Sequence, residues 1–146
     1  MINVLQQLFE RDLNRLKEEI SLYPDEALLW KTTGGISNSA GNLCLHLIGN
    51  LNHFIGATLG NTGYIRERDK EFSNKNVPVD EMNRQIDDVM QVVNTTLNQL
   101  NEDDLKKDFP IAFFQENLST GYFLAHLTTH LNYHLGQINY HRRLLV

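Results

Sequence analysis

The stretch Ser119-Thr-Gly-Tyr-Phe123-Leu-Ala-His126-Leu-Thr-Thr-His130-Leu-Asn-Tyr-His134-Leu-Gly-Gln137-Ile-Asn-Tyr-His141-Arg-Arg-Leu144 decides the fold class by its spacing. Phe123, Leu127, Leu131, Leu135 and Ile138 recur at steps of three and four, the period of a helix with one apolar face. Ser119 or Thr120 offers the capping oxygen, and the helix is expected to run to about Leu144. Three histidines, His126, His130 and His134, sit four residues apart within it. Helix residues four apart are neighbours, with Cβ atoms ~5–6 Å apart, so an His-x-x-x-His pair can converge on one ion. His126 and His134 are separated by ~12 Å of helix rise, too far to share one. His130 therefore belongs to whichever pair is used.

Outward from this helix, three more segments show the same period and none shows strand alternation. The first runs from about Asn3 to Leu22, carries Leu5, Leu8, Phe9, Leu13, Leu16 and Ile20, and is stopped by Pro24. The second is capped by Ser37, Asn38 or Ser39 and reaches about Leu59. Its apolar residues, Leu43, Leu45, Leu47, Ile48, Leu51, Phe54 and Ile55, spread over most of its circumference, which marks a buried helix. The third starts near Pro78 or Asp80 and runs to about Leu100, with Ile86, Val89, Met90, Val93 and Leu97 as its stripe. Residues 60–78 and Asn101 to Leu118 read as irregular connections, the latter broken by Pro110. The expectation is an all-α chain, a four-helix bundle forming one domain over residues 1–146.

The 60–78 connection is long for antiparallel neighbours. At ~3.3 Å per extended residue it can return along a whole helix, which makes helices two and three parallel and helices two and four antiparallel. His46, early in helix two, then lies level with His130 and His134. The opposite orientation would bring His126 to it instead. The linker favours the set His46, His130 and His134.

Three imidazoles and no evident fourth ligand leave coordination positions open, as in catalytic rather than structural metal sites. Imidazole suits zinc, nickel, copper, cobalt or iron. Asn50, one turn after His46, and Gln137, just past His134, are candidate supporting or substrate-facing groups. A lone helical histidine is usually an ordinary packing residue. An i, i+4, i+8 series with a further histidine on a second buried helix fits that reading poorly, because each buried imidazole needs a partner. No histidine has glutamate three positions before it, which excludes the carboxylate-bridged di-iron pattern, and His-Glu-x-x-His is absent. Cys44 points some ~200° away from His46 and reads as a small core residue.

Bulk properties narrow the partners. An apolar share of 41% and a charged share of 21% are those of a globular chain, not a disordered one. The net charge of −5, with no basic run longer than Lys106-Lys107 or Arg142-Arg143, argues against nucleic acid. No stretch approaches the ~20 apolar residues that span a bilayer. Met1-Ile2-Asn3-Val4 has no signal-peptide character, and a single cysteine suits a reducing compartment, so a cytoplasmic setting is expected.

Two motifs resemble the DinB-like superfamily of four-helix-bundle metalloproteins. One is Ser39-Ala-Gly-Asn-Leu-Cys-Leu-His46-Leu, where the family places its first metal histidine. The other is His126-x-x-x-His130-x-x-x-His134-Leu-Gly136-Gln137-Ile, similar to the family's ending His-Arg-Gly-Gln-Ile, whose ligands match His130 and His134. The Leu-Ile-Gly-Asn50 and Arg66-Glu-Arg68-Asp69-Lys-Glu71-Phe72 segments resemble an uncharacterised branch of it. Tyr133 and Leu135 depart from the family's usual His and Arg, and His53 is an addition. The resemblance implies an up-down-down-up bundle, a nickel or zinc ion and a homodimer. It also implies the chemistry of S-transferases and isomerases that use bacillithiol, mycothiol or glutathione.

The expected function is a divalent-metal protein acting on a small molecule as a metal-dependent hydrolase or thiol-dependent S-transferase, with a low-molecular-weight thiol as cosubstrate. Tyr64, Arg66, Arg68 and Asp69 are candidates for the mouth of the site. The alternatives are a non-catalytic metal-binding or dimeric interaction module, and a bundle whose histidines hold no metal.

Overall fold

The computed structural model describes residues 1–111 and 117–146. It is all-helical, with α1 (Ile2–Ser21), α2 (Ala40–Leu51), α3 (Arg68–Ser73), α4 (Val79–Asn98) and α5 (Thr120–Leu145). Short 3-10 turns lie at Glu26–Trp30 and Asp104–Lys106. No β-strand occurs among the described residues; Asp108 and Ser119 form an isolated antiparallel bridge that closes the loop before α5.

Local chemistry sets the helix ends. Ser39 and Ser119 each cap a helix, their Oγ atoms accepting from Asn42 N at 3.2 Å and Tyr122 N at 3.1 Å. Each satisfies an amide that the first helical turn leaves without a partner. Pro78 stands just before α4, where its missing N–H costs nothing. Two features depart from the sequence reading. Helix two is α-helical only to Leu51, and Asn52–Ala57 form a π turn. Its wide bonds run from Thr58 N to His53 O at 3.1 Å and from Gly60 N to Ile55 O at 2.9 Å. The connection expected to be irregular holds α3, a helix of six residues, too short for a hydrophobic period to reveal. Of the expected loop from Asn101 to Leu118, residues 112–116 lie outside the described residues.

The core is built from the predicted stripes. Leu13, Leu16 and Ile20 of α1, Leu47 and Leu51 of α2, Ile86 and Val89 of α4, and Leu127, Leu131 and Ile138 of α5 are all buried. Each such side chain contributes roughly 1.5–3 kcal/mol of burial free energy. Cys44 is fully buried, and burial pushes its thiol pKa up to about 12, so it is an inert core residue.

Polar ties give the helix directions. Along α1 and α4, Gln6 pairs with Asn98, Lys17 with Asp87 and Ser21 with Asn83, so the two run oppositely. Along α1 and α5, Asp12 pairs with Asn132 and Glu19 with Asn139 and Arg142, so they run together. Between helix two and α5, His46 meets His130 while Phe54 meets Phe123, an opposed pair. Gly56 lies against Val92 and Gly60 against Thr96, so helix two and α4 ascend together. Among the described residues no helix is long and apolar enough to cross a membrane.

Candidate metal centre

His46 lies two turns into α2 and is 7% exposed. His130 and His134, one turn apart on α5, are half-buried. One ligand nitrogen from each of the three falls within 4.8 Å of the others, a group that could hold a metal ion. Their ring centroids are 4.6–5.4 Å apart and the ring planes stand nearly perpendicular, at 76–88°. Two imidazole nitrogens bound to one cation at ~2.0–2.1 Å each stand roughly 3.0–3.5 Å apart. His46 Nε2 and His130 Nε2 are 3.2 Å apart.

The outer nitrogens explain which inner ones are free. His46 Nδ1–H donates to Glu71 Oε1 at 3.0 Å, a closer contact than the 3.4 Å to the Arg66 Nη2 donor, and His134 Nδ1–H donates to Gln137 Oε1 at 2.7 Å. Both therefore carry a bare Nε2. His130 Nδ1 is buried and has no hydrogen-bond partner among the described residues. If His130 carries its proton on Nδ1, that donor is orphaned and its Nε2 lone pair faces that of His46. If the proton is on Nε2, it reaches His46 but leaves the Nδ1 lone pair orphaned. A cation among the three nitrogens removes the lone-pair conflict of the first arrangement. The donor set fits a borderline transition metal.

Electrostatics favour the neutral form of the two α5 imidazoles. Burial, then the charges of His134, His46, His126 and Arg66, pull the His130 pKa down to about 3. Burial and His46 lower that of His134 against an opposing hydrogen bond donated to Gln137. Neutral imidazole is the form that binds metal.

Glu71 and Arg66 complete the surroundings. Glu71 is buried, and burial alone would raise its pKa; hydrogen bonds from His46 and Arg66 outweigh this and lower it. Arg66 Nε and Nη2 each donate to the carboxylate at 2.9 Å, a bidentate fork. Arg66, a sequence candidate for the mouth of the site, is instead bound to Glu71, a residue whose role carries no signal in the sequence. Glu71 lies in a charged, loop-like stretch, and no spacing rule links it to His46.

The remaining candidates separate. Gln137 touches His134, as above. Asn50 is buried with its Oδ1 unpartnered. His126 is outside the cluster, its ring 5.9 Å from that of Phe123, and His53 packs on Phe54 at 4.7 Å. Tyr64 is exposed, and Arg68 covers the Phe72 ring at 5.2 Å. A cavity of about 590 Å³ opens beside His134 and Gln137, lined also by Asn38, Leu43, Tyr133 and Tyr140.

Fold and site together define an all-helical protein with a largely buried three-histidine cluster between two helices. The chain belongs to a family described as a protein of unknown function, DUF1572, whose model matches residues 1–146. No curated protein matches it.

Proposed function

We propose that the chain is a DinB-like metalloprotein, an up-down-down-up four-helix bundle in which His46, His130 and His134 hold one divalent transition metal, nickel or zinc. We further propose that it acts on a small molecule as a thiol-dependent S-transferase or metal-dependent hydrolase. The topology is supported by the polar ties, which run α1 with α5 in one direction and helix two with α4 in the other. The observation that carries the reading is the convergence of three imidazoles from two helices, two of them with the outer nitrogen bonded and the inner one bare.

A divalent cation held there supplies Lewis acidity, lowering the pKa of a thiol or water at its open positions. The chain's own groups do the rest. Gln137 orients His134, and the Asn50 amide oxygen, one turn after His46, is buried without a donor among the described residues. The cavity beside His134 offers Tyr133, Tyr140 and Leu43 as apolar walls and Asn38 as a polar contact.

Elemental analysis of protein purified without an affinity tag should find about one equivalent of metal per chain. A panel of thiols and electrophiles should then reveal a turnover that chelation abolishes and metal restores. Only trace metal after incubation with nickel or zinc would defeat the reading. A second reading, a non-catalytic dimeric module, is favoured by an exposed stripe on α5 formed by Tyr122, Tyr133, Tyr140 and Leu144. It predicts a dimer in sedimentation and metal uptake without turnover.

A further inference from the structure

Glu71 is held by more of the fold than an ion pair needs. It sits on α3, the short helix inside the long connection, yet its carboxylate reaches across to His46 Nδ1 at 3.0 Å. The approach requires a glycine on α2. A Cβ at Gly49, three residues after His46, would fall inside the Glu71 carboxylate, so the absent side chain is the slot in which the carboxylate lies. Asn42, one turn before His46, pins the backbone of this segment. Its Nδ2 donates to Glu71 O at 2.9 Å and to Asn74 O at 2.8 Å. Arg66, with a side chain 11% exposed, occupies both carboxylate oxygens and packs over the Phe54 ring at 5.9 Å.

A buried carboxylate with its cation gains little net stability over apolar residues of similar volume, because both charges must be desolvated. What it supplies is direction. A carboxylate accepting from one imidazole nitrogen fixes the tautomer and the ring orientation, leaving the other nitrogen bare. His134 has only a neutral amide for this purpose, on a residue of its own helix.

We infer that Glu71 is a positioning residue, seated in the Gly49 slot and clamped by Arg66, that holds His46 as the Nδ1–H tautomer with its Nε2 turned to His130 and His134. The inference rests on the metal-centre reading of the three histidines. It assigns a structural purpose to the connection between helix two and α4, which delivers an acceptor to a histidine that α2 cannot orient by itself.

The test uses the full chain, with zinc as the probe. Long-range nitrogen–proton NMR reads the tautomer of His46 in the metal-free protein, and competition with a chromophoric chelator reads zinc affinity. Wild type should show Nδ1–H at His46. In Glu71→Ala the tautomers should mix, and affinity should fall about 10- to 100-fold. Gly49→Ala keeps every polar group but expels the carboxylate, and should reproduce both changes. The double variant should be no weaker than Glu71→Ala alone, because both changes remove one interaction. Wild-type tautomer and affinity in Glu71→Ala, with wild type binding zinc, would overturn the role of Glu71 while leaving the metal centre intact. Losses that add in the double variant would overturn the slot. Failure of wild type itself to take up zinc would overturn the metal centre and this inference with it.

Discussion

Two histidines on α5, one buried and one half-buried, stand in contrast. His141, near the end of the helix, is bonded at both nitrogens: its Nε2–H donates to Lys31 O at 2.8 Å, and its Nδ1 accepts the Tyr23 hydroxyl at 2.6 Å. His130, three turns earlier, has one nitrogen facing another imidazole and the other unpartnered. The first is a packing histidine whose hydrogen-bonding capacity is met within the chain. The second has a valence the described residues leave unmet. Burial alone does not separate the two imidazoles; the accounting of their nitrogens does.

The contrast is broken most directly at His130. His130→Ala should lose all high-affinity metal, since every two-helix arrangement of ligands uses it. At a hundredfold excess of metal over Kd, wild type should gain about 2.7 kcal/mol of stability and the variant none, measured by denaturant titration. If the variant is stabilised like wild type, the two histidines are not different in kind. The next effect belongs to His141. His141→Ala should bind metal at full stoichiometry but lose about 2 kcal/mol of stability, because it strands Lys31 O and leaves the Tyr23 hydroxyl only the longer bond to Ile138 O at 3.3 Å. Metal loss in that variant would erase the distinction.

The smallest effect lies at the same anchored end, where Asn139 and Arg142 donate to Glu19 at 2.7 and 2.9 Å. Burial raises the Glu19 pKa, but these bonds outweigh it and lower it below the usual carboxylate value. A carboxylate lowered in the folded state stabilises fully above its unfolded pKa, and the contribution fades as pH falls through the folded one. Glu19→Gln should therefore cost under about 1 kcal/mol at neutral pH and flatten the acid limb of the stability curve. An unchanged acid limb would remove Glu19 from the anchor.

Much of the architecture was legible in the chain. The apolar stripes of Leu13, Leu16 and Ile20 and of Leu127, Leu131 and Ile138 mark helix faces by period alone, and Ser39 and Ser119 mark two starts by their capping chemistry. The spacing on α5 left His126 and His134 as alternatives, and the length of the linker tipped the choice towards His134, which lies beside His46. Glu71 was not legible. Its contact with His46 depends on a short helix with no apolar period and on the absence of a side chain at Gly49, which is visible only once the two segments are adjacent. The π turn was hidden as well, since it keeps the apolar content of a helix while changing its pitch.

That wide turn at Asn52–Ala57 has a mechanical consequence. It accommodates one residue more than an α turn, so the helix beyond it is rotated by about 100° relative to an uninterrupted continuation. The turns before it pack against both α5 and α4, whereas the π segment packs chiefly against α4 and keeps Phe54 on Phe123 of α5. The surplus residue works as a swivel: it re-aims the side chains of the last turns without a break in the rod.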